Sequence, residues 1–96
     1  AMKSGNQMLL QTHPNPFGGS TEIVFSATGN EDLSIEIYDI LGKQVTTLFE
    51  AKQFSGSQTV TWKSEDAHGQ TVSKGIYFVK MRYGADCKTV KLVKVN

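Results

Sequence analysis

The chain has 96 residues, 39% hydrophobic and 20% charged, with nine glycines and two prolines, which excludes low-complexity, collagen-like and disordered classes and bounds it to one domain. A net charge of +1 gives no global electrostatic case for nucleic acid. The single cysteine excludes an internal disulfide, and no apolar run reaches the roughly 18–20 residues of a membrane helix, so no membrane insertion is expected.

In chain order, the polar start at residues 1–9 reads as a linker or cloning remnant ahead of a domain over residues 10–96, with no signal peptide of its own. Pro14-Asn15-Pro16-Phe17 follows, where two prolines restrict the backbone and Phe17 offers a buriable ring. The hydrophobic period is then two. Ile23, Phe25 and Ala27 alternate with Glu22, Val24 and Ser26; Leu33, Ile35 and Ile37 with Ser34, Glu36 and Tyr38. Val60 and Trp62 alternate with Thr59, Thr61 and Lys63; Tyr77, Val79, Met81 and Tyr83 with Phe78, Lys80 and Arg82. The spacing predicts seven strands, near 8–12, 21–27, 32–40, 43–49, 58–63, 75–83 and 87–95.

Turn chemistry separates these runs. Thr28-Gly29-Asn30, Leu41-Gly42-Lys43, Ser55-Gly56-Ser57, Asp66-Ala67-His68-Gly69 and Gly84-Ala85 all read as reversals. Short strands with frequent turns predict an all-β, seven-stranded antiparallel Ig-like β-sandwich. Its shared core is expected to hold Ile23, Phe25, Leu33, Ile35, Ile37, Val45, Leu48, Val60, Trp62, Tyr77, Val79, Met81, Val90 and Leu92. If Val90 and Leu92 face inward, Lys91, Val93 and Val95 face away.

The chain is not read as an enzyme, and no cofactor is expected. Cys87 is the sole thiol, and His13 and His68 lie in leader or turn. Glu31-Asp32 and Glu65-Asp66 are adjacent pairs at turns, where strand geometry sends neighbours to opposite faces. A calcium site from Glu65, Asp66 and the His68 carbonyl lacks the regular loop spacing. Tyr77, Phe78 and Tyr83 fit core packing better than base stacking. No phosphate loop, zinc spacing or dinucleotide fingerprint occurs.

Charge is uneven. Residues 1–50 hold two bases against six acids, and residues 51–96 hold eight against three. The closing stretch concentrates Lys80, Arg82, Lys88, Lys91 and Lys94, which either blunt strand edges or meet an acidic partner.

The ordered phrases "PNPF", "TEIVFS", "LSIEIYDILGKQVTTL", "FSGSQTVTW", "DAHGQTVSKGIYFVKM" and "KTVKLVKV" resemble the type IX (Por) secretion system C-terminal sorting domain, type A, over residues 10–96. They are also similar to the Ig-like modules related to flagellar hook-capping proteins. The resemblance implies a non-catalytic sorting signal of an exported Bacteroidetes-type protein. It would be read by the outer-membrane translocon and removed from an upstream cargo, near its front, by a sortase-like protease. It implies passage through the periplasm to the cell surface or medium. The positions that carry it are Pro14, Asn15, Pro16, Phe17, Tyr38, Asp39, Gly42, Val45, Trp62, Gly69, Gly75, Tyr77, Lys91 and Lys94. The competing expectation is an Ig-like spacer or carbohydrate- or protein-binding module of a secreted hydrolase or adhesin. The two differ in position, and Asn96 as the encoded last residue would favour sorting.

Overall fold

The structure, a computed structural model, describes residues 7–95. Asn96 and the first six residues of the expected leader lie outside them. Five antiparallel strands form one sheet: β1 Gln7–His13, β2 Thr21–Asp39, β3 Gln44–Trp62, β4 Gly75–Tyr83 and β5 Asp86–Lys94. No helix occurs among the described residues.

The all-β antiparallel expectation holds, but the count of seven and the two-sheet sandwich are corrected to five strands in one sheet curled as a half-barrel. Two pairs of expected strands are single long ones. Thr28-Gly29-Asn30 and Ser55-Gly56-Ser57 bend their strands without reversing them. Both corners carry positive φ, at Gly29 and Asn30 on β2 and at Gln53 and Gly56 on β3. They lie opposite each other in the ladder, where Ala27 pairs with Gly56 and Glu31 with Phe54 across a bulge. A straight strand of 19 residues would span about 63 Å at ~3.3 Å per residue, whereas the longest extent of the molecule is 44 Å. The ends of β2 come to the same place instead: Thr21 pairs with Trp62, Asp39 pairs with Tyr77, and the Trp62 and Tyr77 rings lie 5.2 Å apart.

One edge of β2 carries β3 along its length; the other carries β1 on its first half and β4, then β5, on its second. The core fills the concave face. Ile23, Phe25, Leu33, Ile35, Ile37, Trp62, Tyr77, Val79, Met81 and Leu92 are buried as expected. Val45, Leu48, Val60 and Val90 are half-buried and pack against that core. Leu10, Phe17, Ala27 and Tyr83 complete it.

An aromatic cluster closes each end. At the corner, Phe25 lies 5.2 Å from Phe49 and 5.9 Å from Phe54. At the open end, Trp62 bridges Phe17, 5.7 Å away, and Tyr77. Rings at these separations add about 0.5–1.5 kcal/mol per pair beyond burial.

Tyr83 fixes the bend. It is buried at an inward position, so its hydroxyl needs partners within the protein. That hydroxyl donates to the Phe54 carbonyl at 2.6 Å and accepts from the Glu31 N–H at 3.2 Å. One oxygen thus ties the corner of β2 to the corner of β3.

Candidate recognition site

The Pro14–Phe17 segment crosses from the end of β1 to the free edge of β5. Both prolyl peptide bonds, His13-Pro14 and Asn15-Pro16, are cis. Between them, the Asn15 side chain stands in for a strand peptide. Its Nδ2 donates to the Lys91 carbonyl at 2.7 Å, and its Oδ1 accepts the Val93 N–H at 3.0 Å. The Phe17 backbone continues the pattern: its N–H donates to the Val93 carbonyl and its carbonyl accepts the Val95 N–H, both at 2.9 Å. Asparagine suits this position because its amide carries the donor and acceptor of a peptide on a free side chain.

Three contacts brace the segment. Thr21 Oγ1 donates to the Pro14 carbonyl at 2.8 Å and Ser64 Oγ to the Gly19 carbonyl at 2.7 Å. Phe17, only 2% exposed, drives its ring against Trp62, whose Nε1 donates to the Glu65 carbonyl at 2.9 Å. Tyr77 completes the group, with its hydroxyl donating to the Ser73 carbonyl at 2.6 Å. The front of the domain and its last strand are therefore one packed unit, which closes the curl of the sheet.

The remaining predicted positions fall into two matching turns and the ends of β4 and β5. At Asp39, Oδ1 accepts the N–H groups of Leu41 and Lys43, both at 2.9 Å, and the Asp39 carbonyl accepts the Gly42 N–H at 3.0 Å. At Asp66, Oδ1 accepts those of His68 at 2.9 Å and Gln70 at 3.0 Å, and the carbonyl accepts the Gly69 N–H at 3.0 Å. The glycines take φ of +85° and +81°, in the left-handed region that side chains disfavour. The Gln70 and His68 amides hold the Asp66 carboxyl below the usual aspartate range. The Val45 carbonyl accepts the Ala67 N–H at 3.1 Å and so joins the second turn to β3. Gly75 opens β4 opposite Lys94.

Lys91 and Lys94 do not share a face. Lys91 is exposed; Lys94 falls in the inward phase with Leu92 and is 5% exposed, so its side chain is not the solvated charge the basic end suggests. Strand alternation is the reason, since Leu92 and Lys94 are two residues apart.

On the outer face, Glu36 gathers three neighbours. Tyr38 donates its hydroxyl to Oε1 at 2.8 Å, Arg82 Nε donates to Oε1 at 3.0 Å, and Ser34 Oγ donates to Oε2 at 3.1 Å. Partial burial pushes the Glu36 carboxyl up, but the Tyr38, Arg82 and Ser34 hydrogen bonds and the Arg82 charge together bring it below the usual range. This network and the Tyr83 tie went unread in the sequence. The available signal was a polar tip on an inward-phase residue and a carboxylate centred among outward polar ones.

Nothing in this arrangement resembles a nucleophile with its base. Among the described residues no three His, Cys, Asp or Glu side chains group to hold a metal. What the site offers is a shaped and charged surface.

The fold is similar to part of dimeric latent PorU from Porphyromonas gingivalis, with a TM-score of 0.73, 17% identity, and cover of 96% of this chain and 10% of that one. It is similar to part of PorZ, a surface component of the type IX secretion system of the same organism, at TM-score 0.58 and 19% identity, covering 91% of this chain and 11% of that one. The flagellar hook-capping protein FlgD from Xanthomonas campestris matches at TM-score 0.60 and 23% identity, covering 93% of this chain and 66% of that one. The chain thus spans about a tenth of the first two proteins and about two thirds of the third. No curated protein sequence matches it. The family model described as the secretion system C-terminal sorting domain matches residues 11–95, nearly all of the chain, and the chain belongs to that family, the type IX sorting signals.

Proposed function

We propose that this domain is the export address of a larger protein, read by the type IX outer-membrane translocon and then cut from its cargo by a sortase-like protease. The observation that carries the reading is the Asn15 clip on β5. It ties the front of the domain to the last strand, so a receptor that holds the folded sheet also holds that front in a fixed orientation. The domain itself performs no catalysis, and it travels through the periplasm to the cell surface or medium.

The same geometry supports a cut ahead of β1. From Gln7 to His13 the backbone is paired with β2, and a protease needs an extended, unpaired segment. Cleavage is therefore expected upstream of Gln7.

The test is a reporter that carries a signal peptide and this chain at its C-terminus, produced in a host with the type IX machinery. Export of the reporter, with a new C-terminus by mass spectrometry ahead of position 7, is the expected result. Retention in the periplasm, under conditions where an established sorting domain exports the same reporter, contradicts the reading.

A further inference from the structure

We propose that the Asp39–Lys43 turn and the sheet face beside it are the surface by which this domain docks on its receptor, a protein presenting an apolar socket bordered by acidic groups. The proposal rests on the sorting reading above and adds the surface that is read.

The two aspartate turns supply an internal control. They share the same carboxylate-to-backbone bonds, the same closing bond to the aspartate carbonyl, and nearly the same glycine φ. Yet the two central side chains are Ile40 and Leu41 in one turn and Ala67 and His68 in the other. The turn geometry therefore does not call for large apolar groups. Ile40 is nonetheless 63% exposed and Leu41 89% exposed, at the rigid tip of the β2–β3 hairpin. Isolated exposed apolar residues are ordinary, whereas contiguous ones beside a groove mark an interaction surface.

Such a groove adjoins this tip. It has a volume of about 340 Å³ and is lined in part by Tyr38, Ile40, Phe78 and Lys80. Tyr38 and Phe78 are directly paired across β2 and β4 on the outward face, where alternation calls for polar side chains. Both rings remain partly exposed. The tip and the groove thus form one apolar feature, convex beside concave.

Charge selects the partner. The Lys80 ammonium lies over the Tyr38 ring, 4.9 Å from its centroid, and Lys91 is paired with Phe78 across β5. Asp39 turns its carboxylate into its own loop. The Glu36 carboxylate that holds the Tyr38 hydroxyl is itself paired with Arg82, so the charges left at the edge of the apolar feature are cations, and a complementary surface carries acids around an apolar pocket. A second copy of the chain fits poorly, because a two-fold contact would bring lysines against lysines. A flat anionic membrane could accept the tip but would leave the groove unfilled.

The test replaces Ile40→Ala together with Leu41→His, the pair that the other turn already tolerates. Circular dichroism and thermal unfolding are expected to match the parent. Export of the whole-chain reporter fusion is expected to fall at least tenfold, whereas Ala67→Ile with His68→Leu leaves it unchanged. Lys80→Glu is expected to lower export as well. Parent-level export of the folded Ile40→Ala, Leu41→His variant overturns the proposal while the sorting reading stands. Failure of the parent fusion itself overturns the sorting reading, and this proposal with it. Co-sedimentation of the chain with phosphatidylglycerol vesicles, abolished by the same pair of changes, or dimerisation in size-exclusion chromatography abolished by them, overturns the protein receptor in favour of a membrane or a second copy.

Discussion

The side chain of Asn15 accepts the N–H of Val93 at 3.0 Å, a bond between residues 78 apart in the sequence. With the matching donation to the Lys91 carbonyl, it gives the last strand a neighbour where an edge would otherwise be open. Asn15→Ala removes both bonds from a partly solvated edge and is expected to lower stability by about 1–2 kcal/mol. Urea unfolding measures this. In the same variant the Val93 amide should exchange with solvent faster while the β4 amides opposite it change little.

Tyr83→Phe tests the corner. The ring is retained, so the change isolates the hydroxyl that serves Phe54 and Glu31. Leaving those backbone groups without that partner is expected to cost about 1–3 kcal/mol. Faster amide exchange should be confined to residues 28–32 and 53–56. Thermal unfolding coincident with the parent would show that the bend does not depend on this oxygen.

Lys91 and Lys94 are expected to respond differently to the same change. Lys91→Gln, at an exposed site, should shift stability by no more than about 0.5 kcal/mol. Lys94→Gln shortens and neutralises a side chain that is 5% exposed beside the core, and should cost about 1 kcal/mol or more. Equal unfolding midpoints for the two variants would contradict the inward placement of Lys94.

Acid should weaken the fold in part through Glu36. Its folded-state carboxyl titrates below the ordinary value of 4.5, so its contribution is complete above that value and is lost as the pH falls through the folded-state value. Glu36→Gln is expected to flatten the decline of the melting temperature on the acid side of pH 4.5. Some slope should remain, because Asp66 shifts in the same direction. An unchanged acid limb in Glu36→Gln would remove Glu36 from that role.

Local chemistry was legible in the sequence and long-range geometry was not. The Asp39 and Asp66 turns declare themselves, since aspartate three residues before glycine sets both the side-chain acceptor and the left-handed residue. The inward row Tyr77, Val79, Met81 is equally plain from its period. Thr28-Gly29-Asn30 misleads because glycine and asparagine serve a reversal and a strand corner alike; only the pairing of Ala27 with Gly56 distinguishes them. Lys94 misleads because the basic composition of β5 suggests solvent, while the phase set by Leu92 turns it inward. Phe17 was legible as a buriable ring and Trp62 and Tyr77 as core residues, but not that Phe17 packs on Trp62 and Trp62 on Tyr77. The bond from Asn15 to β5 joins segments whose approach no local pattern encodes.

The folded domain alone is expected to address a cargo to the type IX route. The most direct measurement is the exported fraction of a reporter ending in this chain, compared between two hosts that differ only in the outer-membrane translocon. Export is expected in the host that has the translocon, with at least a tenfold lower fraction in the host that lacks it. Equal fractions in the two hosts would contradict it.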